Sequence, residues 1–296
     1  VKILLTGASG YLGARVVARL ADRAVAVTAI ANNHPVTLSA PKIGVVSGDL
    51  TARDWLAGLV AKVAPSVVIH LAARLPNHEN AERMAENVET TRNLVDACDA
   101  GSVDRLVFAS TISVYPARPA DGVAHAEDDP LAPTEAYGES KRQAEMLVRR
   151  WAEVADRTAV ILRFAGIHGP PRRSGLVYRF IGAAVAGAPL QVNEPDAVFS
   201  LLFIDDAADA TLLATEQPSR PGTYTFNVGG GEMCGLDEVA LRTVTACDSA
   251  SEIRRATAPP RRATLAIGRA RSELGFSPAS LDVNLRHAVD IYSRPC

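Results

Sequence analysis

Lys2-Ile-Leu-Leu-Thr6-Gly7-Ala-Ser-Gly10-Tyr11-Leu12-Gly13 is the stretch that decides the fold. Its first five residues form a short apolar run suited to a buried parallel strand, and residues 14–21 alternate apolar and polar side chains with helical period. Three glycines in G-x-x-G-x-x-G spacing stand between them. A glycine motif placed between strand and helix reads as a phosphate cradle rather than an ordinary turn. Gly7 permits the tight turn, Gly10 lets the backbone approach a pyrophosphate, and Gly13 allows close helix packing. The helix N-terminus then faces the anion.

Working outward, strand-like runs at 24–30, 43–47, 66–71, 105–109 and 158–163 alternate with helix-like stretches at 51–62, 79–100 and 135–155. Such alternation implies an α/β fold, a parallel sheet with helices on both faces. Ligands on these sheets bind beyond the carboxyl ends of the strands, where the glycine turn, Ala72, Ser110 and Thr111 all fall. From Gly166 onward the pattern loosens, broken at Gly169-Pro-Pro, Asn193-Glu-Pro and Ala258-Pro-Pro. The expected organisation is a Rossmann-type doubly wound domain over residues 1–165, with some later segments returning to it. A smaller, mainly substrate-binding lobe is expected over 166–296.

Tyr137-Gly-Glu-Ser-Lys141 places a phenol and an amine four residues apart, on one face of the 135–155 helix. A phenol with a free pKa of ~10 is a poor proton carrier at neutral pH. A nearby ammonium favours phenolate, and a charged cofactor strengthens that bias. Alone, Y-x-x-x-K is equally well an exposed Tyr beside an exposed Lys; the glycine signature at the other end of the chain makes the catalytic reading the stronger one.

At 296 residues the chain is long enough for a full core, and its 48% apolar and 22% charged content is that of a soluble globular protein. A net charge of -2 provides no general attraction for nucleic acid or acidic membranes. No apolar run reaches the ~18 residues of a membrane span, and the opening strand leaves no room for a secretory leader, so a cytoplasmic location is expected. Cys98, Cys234, Cys247 and Cys296 lack C-x-x-C spacing, and the six histidines lack ligand spacing, so no metal site or disulfide frame is expected. Asp205, Asp206 and Asp209 are expected to cap and charge the first turn of a helix running toward Glu216.

These segments together resemble the extended short-chain dehydrogenase/reductase family, in its nucleotide-sugar epimerase and dehydratase branch. Further ordered motifs carry the resemblance: Gly48-Asp49-Leu50, His70-Leu71-Ala72-Ala73, Asn87-Val-Glu-Thr-Thr-Arg-Asn-Leu, and Leu106-Val-Phe-Ala-Ser110-Thr111-Ile-Ser-Val-Tyr115. Phe203-Ile-Asp-Asp206, Phe226-Asn-Val-Gly and Leu274-Gly-Phe-Ser-Pro278 follow. The resemblance implies a Thr111, Tyr137, Lys141 triad: Thr111 aligns the substrate oxygen, Tyr137 relays the proton, and Lys141 holds the nicotinamide ribose. It implies cofactor contacts from Gly7, Gly10, Tyr11, Leu12, Gly13, Ala31, Asn32, Asp49, Leu50, Leu71, Ala72, Ala73, Asn87, Ser110, Tyr137, Lys141 and Phe164. Substrate contacts are expected from Thr111, His168 and Arg172, with Tyr178, Gln191 and Phe199 as further candidates. Homodimerisation through the 79–100 and 135–155 helices is also implied.

Departures from the pattern narrow the reaction. Family dehydratases follow the Ser/Thr with Asp-Glu, whereas Ile112 and Ser113 stand here, so dehydration is disfavoured. Phe199 occupies the place of a phosphate-gripping Arg, which shifts weight toward a substrate other than a typical nucleotide sugar; Arg172 and Arg173, or Arg261 and Arg262, are the candidate replacements. The second strand ends in Ala31-Asn32-Asn33 where NAD-using relatives carry an acid that repels a 2′-phosphate. That absence leans toward NADP over NAD, with Arg15 as a neighbouring cation. The expected activity is NAD(P)-dependent hydride transfer at a secondary alcohol or ketone of a sugar-like substrate. A nucleotide-sugar 4-epimerase with retained NAD is the alternative, and a non-catalytic dinucleotide sensor the alternative of another class.

Overall fold

The first strand, β1 (Lys2–Thr6), sends Ile3 and Leu5 into one hydrophobic core and Leu4 into another. Period-two alternation between two buried faces explains why the run is continuously apolar. The computed structural model describes residues 1–32, 40–76, 81–101, 103–117, 123–153, 156–259 and 261–294.

After β1 come α1 (Tyr11–Ala21), β2 (Ala26–Ala31), β3 (Ile43–Ser47), α2 (Arg53–Val63), β4 (Val67–His70) and α3 (Glu86–Asp99). Then follow β5 (Arg105–Thr111), α4 (Ala136–Glu153), β6 (Thr158–Phe164), β7 (Gly166–His168), α5 (Leu176–Val185) and β8 (Leu190–Val192). The chain continues through β9 (Val198–Phe203), α6 (Ile204–Leu213), β10 (Gly222–Val228), β11 (Met233–Gly235) and α7 (Leu236–Ala246). It closes with β12 (Ile253–Arg255), β13 (Arg262–Ala263) and α8 (Leu281–Tyr292).

Seven parallel strands form the main sheet in the order β10-β6-β5-β4-β1-β2-β3. This is a Rossmann-type doubly wound sheet. The order reverses between β1 and β4, which opens a crevice beyond their carboxyl ends. One core joins Val16, Val17 and Leu20 of α1 and Ala207 and Ala208 of α6 to one sheet face. The opposite face packs against Leu56 of α2, Leu94 of α3, and Val148 and Trp151 of α4. A third core, built from α5, α7, α8 and β9, holds the smaller C-terminal lobe. The chain leaves the sheet after β6 and returns to it at β10.

Boundaries differ from expectation in places. The 79–100 helix reduces to α3 preceded by a 3-10 turn at Ala81–Ala85, and Glu79 lies outside the described residues, as do Asn33 and Cys296. Helix α1 begins at Tyr11, three residues earlier than its apolar period, because the glycine turn leads straight into it. The acidic residues of α6 do not cap it: no side-chain cap bond forms there. Asp205 instead pairs with Arg15 of α1, whose Nη2 donates to it at 2.7 Å. Asp206 accepts from the Ala279 amide at 3.1 Å and from Asn284 of α8 at 3.0 Å, tethering the C-terminal helix. No described helix is long and apolar enough to cross a membrane.

Candidate active site

The turn after β1 is tight, with its backbone packed closely against α1 and the chain after β4. Gly7 has φ +72°, and a Cβ there would lie 2.6 Å from the Ala72 amide nitrogen. A Cβ on Gly13 would stand 1.9 Å from the Gly7 carbonyl oxygen, so only glycine lets α1 sit this close to the turn. Gly10, at the cap of α1, offers no side-chain acceptor, and the first turn of the helix carries no acid. The first amides of α1 are therefore left for an anion.

Two cavities meet over this turn. One, of about 250 Å³, is lined by Gly7, Gly10, Ile30, Asn32, Asp49, Leu50, Leu71, Ala72, Ala73 and Asn87. The other, of about 300 Å³, is lined by Gly7, Gly10, Tyr11, Leu12, Gly13, Ser110, Thr111, Tyr137, Lys141, Phe164 and Arg172. They share Gly7, Gly10, Leu71 and Ala73, so the pair makes one bent trough. The trough runs from the β2 side, over the glycine turn, to the β5 side.

On the β2 side, Asn87 accepts from the Arg74 amide at 2.7 Å and donates to Arg74 O at 3.1 Å and Ser140 Oγ at 3.2 Å, bracing the wall. Asp49 accepts from the Thr51 amide and hydroxyl, both at 2.9 Å, and these bonds hold its carboxyl below the ordinary range. Ala31 is buried and does not border the trough; Asn32 does. Arg74 is engaged by Glu86. Arg15, expected near a 2′-phosphate, is turned to Asp205 instead, because a half-buried carboxylate at the start of α6 lies against α1.

On the other side, Thr111, Tyr137 and Lys141 line a single cavity although they come from β5 and α4. Thr111 Oγ1 accepts from the Ser113 amide at 3.2 Å, capping the short turn at Ile112–Val114 while facing the cavity. Tyr11 bonds Gly169 O at 2.6 Å, and the Arg172 guanidinium lies 4.4 Å from the Tyr11 ring centroid. Burial pushes the Tyr137 phenol up to about 12, so it remains protonated at neutral pH without ligand. Burial also takes the Lys141 ammonium from its ordinary 10.5 down to about 7, opposed by the Glu145 charge. The tyrosine-lysine spacing alone therefore does not yield a phenolate: burial holds the phenol protonated.

The lysine shift has a checkable consequence. Folding releases a proton from Lys141 between about 7 and 10.5, so stability contributed at this site rises with pH across that window. Below it the cost of burying charge is fully present. Lys141→Met is expected to raise Tm below about pH 7, with the gain shrinking toward pH 10.5. Melting curves across that range test it, and a gain independent of pH would refute it.

Some expected site residues lie elsewhere. His168 borders none of these cavities; its ring stands edge-on to Phe203 at 5.5 Å, both nitrogens are buried without a partner, and burial holds it down to about 4. Tyr178 packs on Tyr292, and Gln191 is exposed on β8. Ser110 lines the trough, but its hydroxyl donates to Glu145 at 2.5 Å. Phe199 lines a third cavity of about 240 Å³ beyond the Ile112-Ser113 turn, with Tyr115, His125, Glu135, Arg261 and Arg262. The pairing of β13 with β9 sets Arg262 and Phe199 at adjacent register positions. Sequence reading missed Glu145 and Arg163. Their signal was an arginine inside a wholly buried strand and a carboxylate one helical turn beyond Lys141.

Known proteins share this sequence pattern and this fold. The description of the NAD dependent epimerase/dehydratase family matches residues 3–229. A UDP-glucose 4-epimerase of Corynebacterium glutamicum is 30% identical over 313 aligned positions, covering 95% of this chain and 92% of that one. The solved structure of MoeE5 in complex with UDP-glucose and NAD superposes with TM-score 0.82 at 27% identity, covering 99% of this chain and 98% of that one. A UDP-glucose 4-epimerase from Thermotoga maritima shares the fold, with TM-score 0.85 at 22% identity over 99% of both chains.

Proposed function

The chain belongs to the NAD dependent epimerase/dehydratase family, and from that premise we propose that it removes and restores hydride at a secondary alcohol of a sugar substrate, as a nucleotide-sugar 4-epimerase does. The composition of one cavity carries the reading: Thr111, Tyr137 and Lys141 line it beside the glycine turn, and Ile112 and Ser113 follow Thr111. That set holds one proton relay and lacks the acid-base pair that eliminating water requires. Near full-length similarity to a UDP-glucose 4-epimerase favours epimerisation over the net redox reaction expected from sequence.

When bound, the nicotinamide supplies the carbon that accepts and donates hydride. Tyr137 takes the alcohol proton as the carbonyl forms and gives it back on reduction. Thr111 hydrogen-bonds the reacting oxygen, and the Lys141 charge favours phenolate once the trough is filled. Arg172 flanks the substrate end. Arg261 and Arg262 border the third cavity and supply cationic chemistry that Phe199 lacks.

For the cofactor, we favour NAD over the NADP expected from sequence. Arg15 and Arg74 are both committed to carboxylates, which leaves neither to receive a 2′-phosphate. Tighter binding of NADH than NADPH is the expected result, and the reverse order would restore NADP.

Purified protein is expected to retain its nicotinamide and to interconvert UDP-glucose and UDP-galactose without net change in nicotinamide absorbance. A stoichiometric absorbance change with a keto or hydroxy sugar lacking a nucleotide would favour the second reading, a ketoreductase, to which Phe199 points. A dinucleotide sensor would show neither.

A further inference from the structure

Behind the reaction cavity lies a buried polar network that the proposed chemistry does not use. Glu145 and Arg163 are 1% and 2% exposed at their side chains. Arg163 Nε donates to Glu145 Oε1 at 3.0 Å and Nη2 to Oε2 at 2.8 Å. Its Nη1 donates to Tyr115 Oη at 2.7 Å and to Glu127 O at 2.9 Å. Tyr115 Oη passes its own proton to Asn227 at 2.8 Å, and Ser110 Oγ donates to Glu145 at 2.5 Å. The network ties together β5, α4, β6 and β10, the elements that carry or border the reacting groups.

Stability does not account for such a pair. Burying two charges costs several kcal/mol in desolvation, and apolar replacements of similar volume are often neutral or better. Its position relative to Lys141 is the informative fact. Glu145 follows Lys141 by one helical turn, on the same face of α4. The ammonium lies 4.3 Å from the Phe108 ring centroid and has no hydrogen bond among the described residues. The groups facing it are Tyr137 and Glu145 from α4, Phe108 from β5 and His70 from β4. His70 is bonded at both nitrogens, to Thr6 at 2.7 Å and Thr91 at 3.1 Å, and burial keeps it neutral. Arg163 and Arg149 stand behind Glu145, with Arg149 at 3.7 Å. Glu145 is thus the carboxylate that the lysine sees.

We propose that Glu145, oriented by Arg163 and Ser110, is a positioning residue whose carboxylate keeps Lys141 protonated in the apolar wall of the reaction cavity. The proposal rests on the role assigned to Lys141 in the proposed function. Arg163 fixes the carboxylate with two parallel bonds, so it neither approaches Lys141 as a close ion pair nor swings away. Lys141 thereby keeps more of its charge near neutral pH than burial alone would leave it, and stays free to bond a ribose hydroxyl. A direct salt bridge would occupy those donors.

The chain has four lysines, Lys2, Lys42, Lys62 and Lys141, and the first three are exposed. Labelling lysine at the ε-carbon therefore gives a spectrum in which the titration of Lys141 is followed directly by NMR, without any substrate. In the unaltered protein the midpoint is expected near 7. In Glu145→Gln it is expected to fall by about one pH unit, the effect of removing an opposite charge at this range. Because that variant leaves Arg163 buried without its carboxylate, the double variant Glu145→Gln/Arg163→Met serves beside it: near-normal Tm and a smaller fall are expected, since a repelling charge leaves with the attracting one. Glu145→Asp, which keeps the charge, should recover most of the shift.

A folded Glu145→Gln variant with an unmoved or raised midpoint would overturn the proposal, as would a double variant whose midpoint falls further than that of Glu145→Gln. So would a double variant that fails to fold, because the pair would then be a structural strut. The proposed function fails separately: Tyr137→Phe retaining turnover would remove it while leaving the lysine titration intact.

Discussion

Tyr137→Phe is expected to lower kcat by ~10²–10⁴-fold, the contribution of a positioned general acid-base. Dinucleotide affinity and Tm should barely move. Tyr137 Oη has no hydrogen bond among the described residues, so its removal strands no partner. The hydroxyl matters only when an oxygen of the substrate is present to exchange a proton with it. Burial keeps the ligand-free phenol at about 12, so the basic form depends on the charge of Lys141 and of an oxidised nicotinamide together. Steady-state rates, with a dinucleotide titration as control, check the prediction. Near-normal turnover would exclude Tyr137 as the proton relay.

Arg163→Ala is expected to cost stability rather than chemistry alone, by about 3–5 kcal/mol. Four of its N–H contacts are to buried acceptors, and truncation leaves the Glu145 carboxylate inside the protein with only the Ser110 hydroxyl and the more distant Arg149. Against a typical total of ~5–15 kcal/mol, that is a large fraction. Urea unfolding measures it. The Glu145→Gln/Arg163→Met variant should recover most of the loss, since no charge is then stranded. A loss of roughly 1 kcal/mol or less, the scale of an exposed pair, would show that water reaches this network.

Local patterns disclosed much of this protein. Strand, glycine turn and helix in sequence are enough to locate the tight turn after β1, because Gly7 and Gly13 are demanded by backbone geometry that no other residue meets. Tyr137 and Lys141 were legible from their spacing on one helix face and Thr111 from the family resemblance, and all three line one cavity. Failures came where a side chain chooses among distant partners. Arg15 had a cofactor phosphate in prospect and found Asp205, 190 positions away. Ser110 pointed its hydroxyl at Glu145 rather than into the trough. His168 turned toward Phe203 and borders none of the three cavities described above.

The amino-acid sequence by itself determined the doubly wound sheet and the glycine turn, and singled out three groups that the fold brings to one cavity. These follow from hydrophobic period and backbone sterics, which act over a few residues. Only the tertiary structure decided the state of those groups: that the phenol is protonated, that the lysine is poised near neutrality, and that Glu145 stands where its charge reaches it. Desolvation and Coulomb interaction depend on everything packed within several ångströms, and β4, β5, β6 and α4 meet there only once the chain has folded.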